Sequence, residues 1–143
     1  MSSIAGRRSA PGSSLYNASK FAIEGWAEAL SYELQPFGVE VVLIEPGPTE
    51  SGFFDVKWSG GREVEVYGAM NERLAELQAG VKEKAVPVEV VSGAIERALE
   101  ARRPALRVPT GAQTKAQLFA KSSLPERWWR GLVNKAVSFP KPD

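Results

Sequence analysis

The chain has 143 residues, of which 43% are hydrophobic and 24% are charged, as is usual for one globular domain. Its 18 basic and 17 acidic residues leave a net charge of +1, which gives no bulk attraction to nucleic acid. Histidine and cysteine are absent, which excludes disulfides, thiolate nucleophiles, Cys/His zinc sites and histidine-based triads. Any catalysis must therefore use Tyr, Lys, Ser, Asp or Glu, and we expect no metal site.

The first residues lack the apolar core of a signal peptide. No apolar run in the sequence is long enough to span a membrane. We therefore expect a cytoplasmic protein.

A tyrosine and a lysine lie four residues apart near the start of the chain. Tyr16 and Lys20 are expected on one face of a helix, where the ammonium can lie beside the phenol. A phenol ionises at about pH 10 in a peptide, and a fixed neighbouring cation favours the ionised form. The arrangement suits a general acid/base. By itself the pair is weak evidence, since chance produces it in roughly one chain in four of this length.

The segment Ser13–Gln35 is predicted to be a helix with two adjacent apolar stripes. The first stripe is Leu15, Ala18, Ala22, Trp26 and Ala29, and the second is Tyr16, Ile23, Ala27, Leu30 and Leu34. A surface helix needs only one apolar face. Two stripes indicate a sheet on one side and a partner, such as a second subunit, on the other. The alternative is a helix deep in the core of a monomer.

A buried strand is predicted next, over Val39–Ile44, because four apolar residues in a row are typical of a parallel strand covered on both faces. The turn Pro46-Gly47-Pro48 is expected to end it. Helix, buried strand and Gly/Pro loop in this order indicate an α/β doubly wound fold, in which ligands bind beyond the carboxyl ends of the strands.

The remaining elements are less sharply predicted. The segment 49–85 has scattered aromatic residues followed by a helical stripe of Met70, Leu74, Leu77 and Val81. The rest of the chain is predicted as a helix over Pro87–Ala101, a short strand over Ala105–Val108, and two helices over Gln113–Ala120 and Pro125–Val137.

A wider set of residues is more specific than the Tyr/Lys pair. Ser3 lies thirteen positions before Tyr16, and Pro46-Gly47 follows the predicted strand. With these spacings the chain resembles the short-chain dehydrogenase/reductase family, the NAD(P)-dependent Rossmann-type oxidoreductases. The resemblance is close over residues 1–54. It is looser over residues 87–137, where the chain is similar to steroid or retinol dehydrogenases. It divides one partial domain into a catalytic helix, strand and nicotinamide loop (1–54), a substrate loop or lid (55–86), and C-terminal helices with a short strand (87–143).

The resemblance implies an oxidoreductase that interconverts an alcohol and a ketone or aldehyde with NAD or NADP. Tyr16 would be the acid/base that exchanges a proton with the substrate oxygen. Lys20 would favour the phenolate and hydrogen-bond the nicotinamide ribose, and Ser3 would hold and polarise the substrate carbonyl. Without histidine, a cation-assisted phenol is the credible proton carrier in this chain.

Four residues would meet the cofactor beyond the strand. Pro46 and Gly47 would shape the loop against the nicotinamide carboxamide. The family often places a threonine four residues after the glycine; here that position is Ser51, which we favour, with Thr49 as the alternative. In the alternative interpretation, either hydroxyl residue only begins the following helix, since both types cap helices well.

Three aromatic residues fall where the family has its substrate loop: Phe53, Phe54 and Trp58. They are consistent with an apolar substrate, and core packing explains them equally well, so the substrate identity stays open.

No Gly-x-Gly-x-x-Gly-like turn for a pyrophosphate occurs in the 143 residues. The resemblance therefore implies the C-terminal half of a Rossmann-type doubly wound parallel sheet, with the N-terminal strands missing. We expect such a chain alone to bind NAD(P) poorly and to have little or no activity. The alternative is a non-catalytic fragment that pairs through its helices with a full-length relative, and a homo-oligomer would use the same Ser13–Gln35 helix.

The C-terminal segment mixes aromatic and basic residues. Trp128, Trp129 and Leu132, with Arg127 and Arg130, are compatible with a basic amphipathic helix at a membrane surface. A packed C-terminal helix is the favoured interpretation, because the segment is short and its apolar residues suit docking, so membrane contact is not expected.

Overall fold

The computed structural model describes residues 1–55 and 67–139. Within these ranges the α-helices are Ser14–Leu34 (α1), Gly68–Lys82 (α2), Val88–Glu100 (α3), Ala112–Ser123 (α4) and Glu126–Val137 (α5). The strands are Leu43–Pro46 (β1) and Arg107–Thr110 (β2). Short 3-10 helices occupy Ile4–Gly6, Gln35–Phe37 and Gly52–Asp55.

The two strands form a parallel pair in which Leu43 lies opposite Arg107 and Pro46 lies opposite Thr110. Because the strands run in the same direction, the chain must cross over between them, and helices α2 and α3 lie in that connection. Helix α3 packs on both strands and α4 packs on β2. The predicted α/β class, as part of a doubly wound parallel sheet, is confirmed.

Both strands lie further along the chain than the sequence predicts. The strand expected at Val39–Ile44 begins at Leu43 and includes Pro46, and the strand expected at Ala105–Val108 is Arg107–Thr110. Val39 is 48% exposed and lies before the paired segment. An apolar run predicts that a strand exists, whereas the position of its partner decides which residues are paired.

Helix α1 ends where the sequence predicts a stop. Pro36 lies in the 3-10 turn that follows the helix, and Gly38 has a φ of 70°, in the left-handed region that glycine adopts without strain. The other four helices are also predicted, although their ends differ from the predicted ones by up to three residues.

The two stripes of α1 have different surroundings. In the inward stripe Ala27 is only 3% exposed, and the other members are partly covered. The outer stripe is open to solvent in the described chain, with Leu15 81% and Trp26 65% exposed. A helix buried on both sides within a monomer core is therefore not what this chain forms.

The core lies where the sheet meets its helices. Its buried apolar members include Leu43 and Ile44 of β1, Val91 and Ala94 of α3, and Leu118 of α4.

Helix α5 packs along one side only. Val137 is buried, whereas Trp128 and Leu132 are 60% and 54% exposed. Arg73 of α2 donates from Nε to the Val137 carbonyl at 2.9 Å, which ties the two helices together. Among the helices of the described ranges, none is long and apolar enough to cross a membrane.

Candidate active site

Ser3 lies beside the carboxyl end of β1. Its Oγ donates to the carbonyl of Pro46 at 3.4 Å and accepts from the amide of Ala5 at 3.2 Å, as the N-cap of the Ile4–Gly6 turn. The preceding amide, of Ser2, donates to the Ile44 carbonyl at 2.9 Å. These bonds bring the predicted Ser3 and Pro46-Gly47 segments together, although they are more than forty residues apart in the chain.

Tyr16 and Lys20 lie on adjacent turns of α1, as their spacing predicts. The Lys20 Nζ is 5.6 Å from the centre of the Tyr16 ring, and both residues are half-buried. Gly6 permits the Ser3 segment to approach this helix, because a Cβ at Gly6 would lie 2.9 Å from the Lys20 carbonyl oxygen and 2.8 Å from Glu24 Cγ. The helix that carries the Tyr/Lys pair therefore packs directly on the turn that begins at Ser3.

Gly47 makes the closest approach in the loop after β1. A Cβ placed there would lie 2.0 Å from Oγ1 of Thr114, a buried residue of α4. Beyond it, Thr49 Oγ1 donates to the Gly47 carbonyl at 3.1 Å. The backbone of Val86 holds the same loop, since its amide donates to the Pro48 carbonyl at 2.9 Å. The nicotinamide loop predicted from the sequence is thus fixed on both sides.

Ser51 is placed where a helix cap would be. Its Oγ accepts from the Phe53 amide at 3.4 Å at the start of the 3-10 helix Gly52–Asp55. The capping alternative therefore describes its present contact, and within the described residues the Ser51 hydroxyl proton has no acceptor.

Of the three predicted substrate aromatics, Phe53 lies next to the Tyr/Lys pair. Its ring centre is 5.5 Å from that of Tyr16 at an interplanar angle of 47°, and the residue is 59% exposed, so it is not a core aromatic. Phe54 belongs to the same 3-10 helix by its backbone. The side chain of Phe54 and all of Trp58 lie outside the described part of the chain.

A charged cluster behind the site was not predicted. We call it the Arg107 cluster: Arg7, Glu24, Glu28, Glu45 and Arg107. Arg107 donates from Nε to Glu24 at 2.9 Å and from a terminal nitrogen to Glu28 at 2.8 Å, and its Nε lies 3.8 Å from Glu45. Arg7 pairs with Glu45 at 3.3 Å, and the Glu45 side chain is fully buried.

The electrostatics of the cluster follow from burial and pairing. Burial raises the pKa of Glu45, an effect that the charge of Arg7 partly offsets. The Arg107 hydrogen bond and charge lower the pKa of Glu28, and the hydrogen bond to Glu28 is the main reason that the pKa of Arg107 is raised. One signal was present in the sequence: Glu45 directly follows a four-residue apolar run in a buried strand.

The geometry defines a class of protein: an α/β fold with a parallel strand pair, in which Ser3 lies at the carboxyl end of β1 and the turn that follows it packs on the helix that carries Tyr16 and Lys20. Comparison with known families agrees, since the model of the family described as short chain dehydrogenase matches residues 1–62.

Two relatives align over most of this chain. A probable short-chain type dehydrogenase/reductase, VdlC, of Helicobacter pylori is 33% identical over 144 residues, covering 100% of this chain and 53% of the relative. An NADPH-dependent 3-dehydrocapnine reductase of Ornithobacterium rhinotracheale is 34% identical, covering 89% of this chain and 46% of that protein.

A solved structure has the same fold. The crystal structure of a short-chain dehydrogenase from Streptomyces avermitilis superposes with a TM-score of 0.67 at 25% identity, covering 96% of this chain and 48% of that one. The chain belongs to the short-chain dehydrogenase/reductase family, and it spans about half the length of the relatives it matches.

Proposed function

We propose that this chain carries the proton-transfer site of an NAD(P)-dependent oxidoreductase that interconverts an alcohol and a ketone or aldehyde. The observation that supports the proposal is that the Ser3 hydroxyl contacts the Pro46 carbonyl at the end of β1, while the turn after Ser3 packs on the helix that carries the Tyr16/Lys20 pair. In a chain without histidine or cysteine, this group contains the proton donor and acceptor best suited to carbonyl chemistry.

The roles follow from the side chains. In the direction of reduction, the Tyr16 hydroxyl gives its proton to the substrate oxygen, and the Lys20 ammonium stabilises the phenolate that remains. The Ser3 hydroxyl, which now donates to the Pro46 carbonyl, turns to donate to the same substrate oxygen. Solvent returns a proton to Tyr16, and oxidation reverses each transfer.

The residues present suit the nicotinamide end of the cofactor, which supplies or accepts the hydride when it is bound. Lys20 can donate to the ribose, and Pro46 and Gly47 lie at the carboxyl end of β1. Ser51 is favoured over Thr49 for the carboxamide, because Thr49 Oγ1 already donates to Gly47 while the Ser51 proton is available.

The adenosine end is a different case. No glycine-rich pyrophosphate turn occurs among the 143 residues, so this chain alone is expected to bind a dinucleotide weakly and to turn over little substrate. The Ornithobacterium relative is named as NADPH-dependent, which makes NADPH the first cofactor to test, with NADH beside it.

The substrate is expected to be apolar near its reacting group. Phe53 is largely exposed and lies against the Tyr16 ring, so it offers an apolar surface next to the proton donor. This supports an alcohol or carbonyl compound on a hydrocarbon body as the small-molecule partner.

Thermal unfolding with reduced nicotinamide mononucleotide, NADPH and NADH tests the binding part of the proposal. A ligand at tenfold its Kd raises the free energy of unfolding by about 1.4 kcal/mol. We expect millimolar mononucleotide and dinucleotides to give similar, small rises in Tm, because only the nicotinamide end has a site here.

The matched variants are Lys20→Met, which should lose the rise, and Lys115→Met on the exposed surface of α4, which should keep it. An equal rise in both variants, or none with any of the three compounds in the unmodified chain, would contradict the proposed site.

A second candidate is a non-catalytic chain that pairs through α1 with a full-length relative or with its own copy. The open outer stripe, with Leu15 and Trp26 as its largest exposed side chains, favours it, because a contiguous apolar face is a common mark of an interface. Sedimentation of this chain with and without the Helicobacter pylori relative tests it: a joint species supports pairing, and independent sedimentation of the two proteins argues against it.

A further inference from the structure

We propose that Arg107 and Glu45 are positioning residues that hold the Ser3 segment, helix α1 and the end of β1 in one fixed arrangement. The proposal deepens the proposed function and rests on it for its catalytic meaning. Neither residue is a candidate for contact with the substrate. They act through the backbone segments that they join.

Arg107 connects the sheet to the Tyr/Lys helix. It lies on β2, opposite Leu43 of β1, and its guanidinium holds Glu24 at 2.9 Å and Glu28 at 2.8 Å. Glu24 and Glu28 follow Lys20 at four-residue spacing on α1. Glu24 therefore lies about one turn beyond Lys20, and Glu28 about two turns beyond it. A planar guanidinium with several fixed donors sets the rotation and height of a helix more tightly than a point charge does.

Glu45 connects the sheet to the Ser3 segment. It directly precedes Pro46, whose carbonyl accepts a hydrogen bond from Ser3. Its Oε2 accepts a hydrogen bond from the Arg7 guanidinium at 3.3 Å. Arg7 lies four residues after Ser3, at the end of the Ile4–Gly6 turn. The Glu45 side chain has no exposed area, so its position is set entirely by the elements around it.

The buried carboxylates of Glu24 and Glu45 make the packing of α1 on β1 sensitive to the loss of Arg107. Oε1 of Glu24 and Oε1 of Glu45 are buried and have no hydrogen-bond partner within the described ranges, and Arg107 Nε lies 3.8 Å from the second of them. Removal of Arg107 would leave two buried carboxylates without their shared cation, which is far more costly than losing an exposed pair. Repulsion between them would move α1 away from β1 and would loosen the site.

Distances between spin labels test this directly, because the chain has no native cysteine to compete with the labels. Labels at Ser9→Cys, Glu33→Cys and Glu50→Cys report on the turn, on α1 and on the loop after β1, and all three positions are exposed. They are measured in pairs, in the unmodified background and with Arg107→Met or Arg107→Lys.

We expect Arg107→Met to broaden the distance distributions of both pairs that include Glu33→Cys by at least about twofold. Arg107→Lys should give intermediate widths, because it keeps the charge without the planar fork. Arg103→Met, an exposed arginine just before β2, is the matched control and should leave all widths unchanged.

Unchanged widths in a folded Arg107→Met protein would overturn the proposal, even if its Tm were lower, since a merely stabilising residue lowers Tm without changing the geometry. If Arg107→Met does not fold, Glu45→Gln decides: it should broaden the pair between Ser9→Cys and Glu50→Cys, and unchanged widths there also overturn the proposal. These distances need no cofactor, so they stand apart from a failure of nicotinamide binding.

Discussion

Gly47 lies at a point where the chain has no room for a side chain. The 2.0 Å separation between a Cβ at this position and Thr114 Oγ1 is far inside van der Waals contact, and Thr114 is itself buried and cannot move aside freely. The glycine therefore lets the loop after β1 pack closely against α4. From the sequence, Gly47 was assigned to the cofactor loop by resemblance, whereas its packing partner more than sixty residues away was not foreseeable.

Gly47→Ala is expected to lower the free energy of unfolding by about 1–3 kcal/mol through overpacking. Gly52→Ala, where a Cβ meets nothing within 4 Å in the described ranges, is the control and should stay within about 0.5 kcal/mol. Urea denaturation measures both. The double variant Gly47→Ala/Thr114→Ala should recover part of the loss, and strictly additive effects would contradict the assigned clash.

The buried Glu45 carboxyl should make the stability of the fold depend on pH. Because the pKa of Glu45 is raised in the folded chain, mainly by burial and partly by the charge of Glu24, the folded state holds a proton that the unfolded state has lost. Stability should therefore fall as the pH rises from the ordinary glutamate value of about 4.5 towards the folded value.

The Glu45→Gln variant isolates this contribution, since Arg7, Arg107 and Glu24 still face the position. The difference in unfolding free energy between variant and unmodified chain should shift in favour of the variant as the pH rises through that window. Urea titrations at pH values from about 4 to 8 measure it. A difference that is independent of pH would contradict the raised pKa.

Glu28 should act in the opposite direction. Arg107 lowers its pKa, so its stabilising contribution is present above the ordinary glutamate value and is lost as the pH falls through the lowered folded value. Glu28→Gln should lose less stability on acidification than the unmodified chain, and an unchanged acid limb would contradict this assignment.

Helix α1 is the element that sequence patterns predict best. Its period, the stop at Pro36 and Gly38, and its two stripes are all local properties, and the predicted ends are within one residue of Ser14–Leu34. The strands are predicted less well, because pairing between Leu43 and Arg107 depends on a partner far along the chain. The Arg107 cluster was missed for the same reason: its members lie on four separate segments, and only Glu45 is conspicuous in the sequence.

The exposed outer stripe of α1 is expected to contribute to self-association rather than to the stability of the isolated chain. Trp26→Ser should change the stability of the isolated chain by no more than about 0.5 kcal/mol, because Trp26 is already 65% exposed. The same substitution should reduce self-association in sedimentation velocity. Phe37→Ser, which alters an even more exposed aromatic outside the stripe, should leave association as it was, and equal effects of the two would argue against α1 as the interface.

For the molecule as a whole, the chain corresponds to about half of the Helicobacter pylori relative and of the Streptomyces avermitilis structure, and it contains Ser3, Tyr16 and Lys20. The family was predictable through the resemblance carried by Ser3, Tyr16, Lys20 and the Pro46-Gly47 turn, and the α/β class was predictable from the order of helix, buried strand and Gly/Pro loop. The choice between NAD and NADP and the identity of the substrate were not predictable from the residues that carry the resemblance.

The role proposed for Tyr16 is proton transfer in carbonyl reduction. Its most direct test is the rate of NADPH oxidation with an apolar ketone or aldehyde, measured for this chain fused to the part of the Helicobacter pylori relative that it does not match. Tyr16→Phe should lower the rate by on the order of 10²-fold or more, whereas Tyr32→Phe, an exposed tyrosine on the same helix, should leave it within about twofold. A fused enzyme that turns over equally well with Tyr16→Phe would contradict the account.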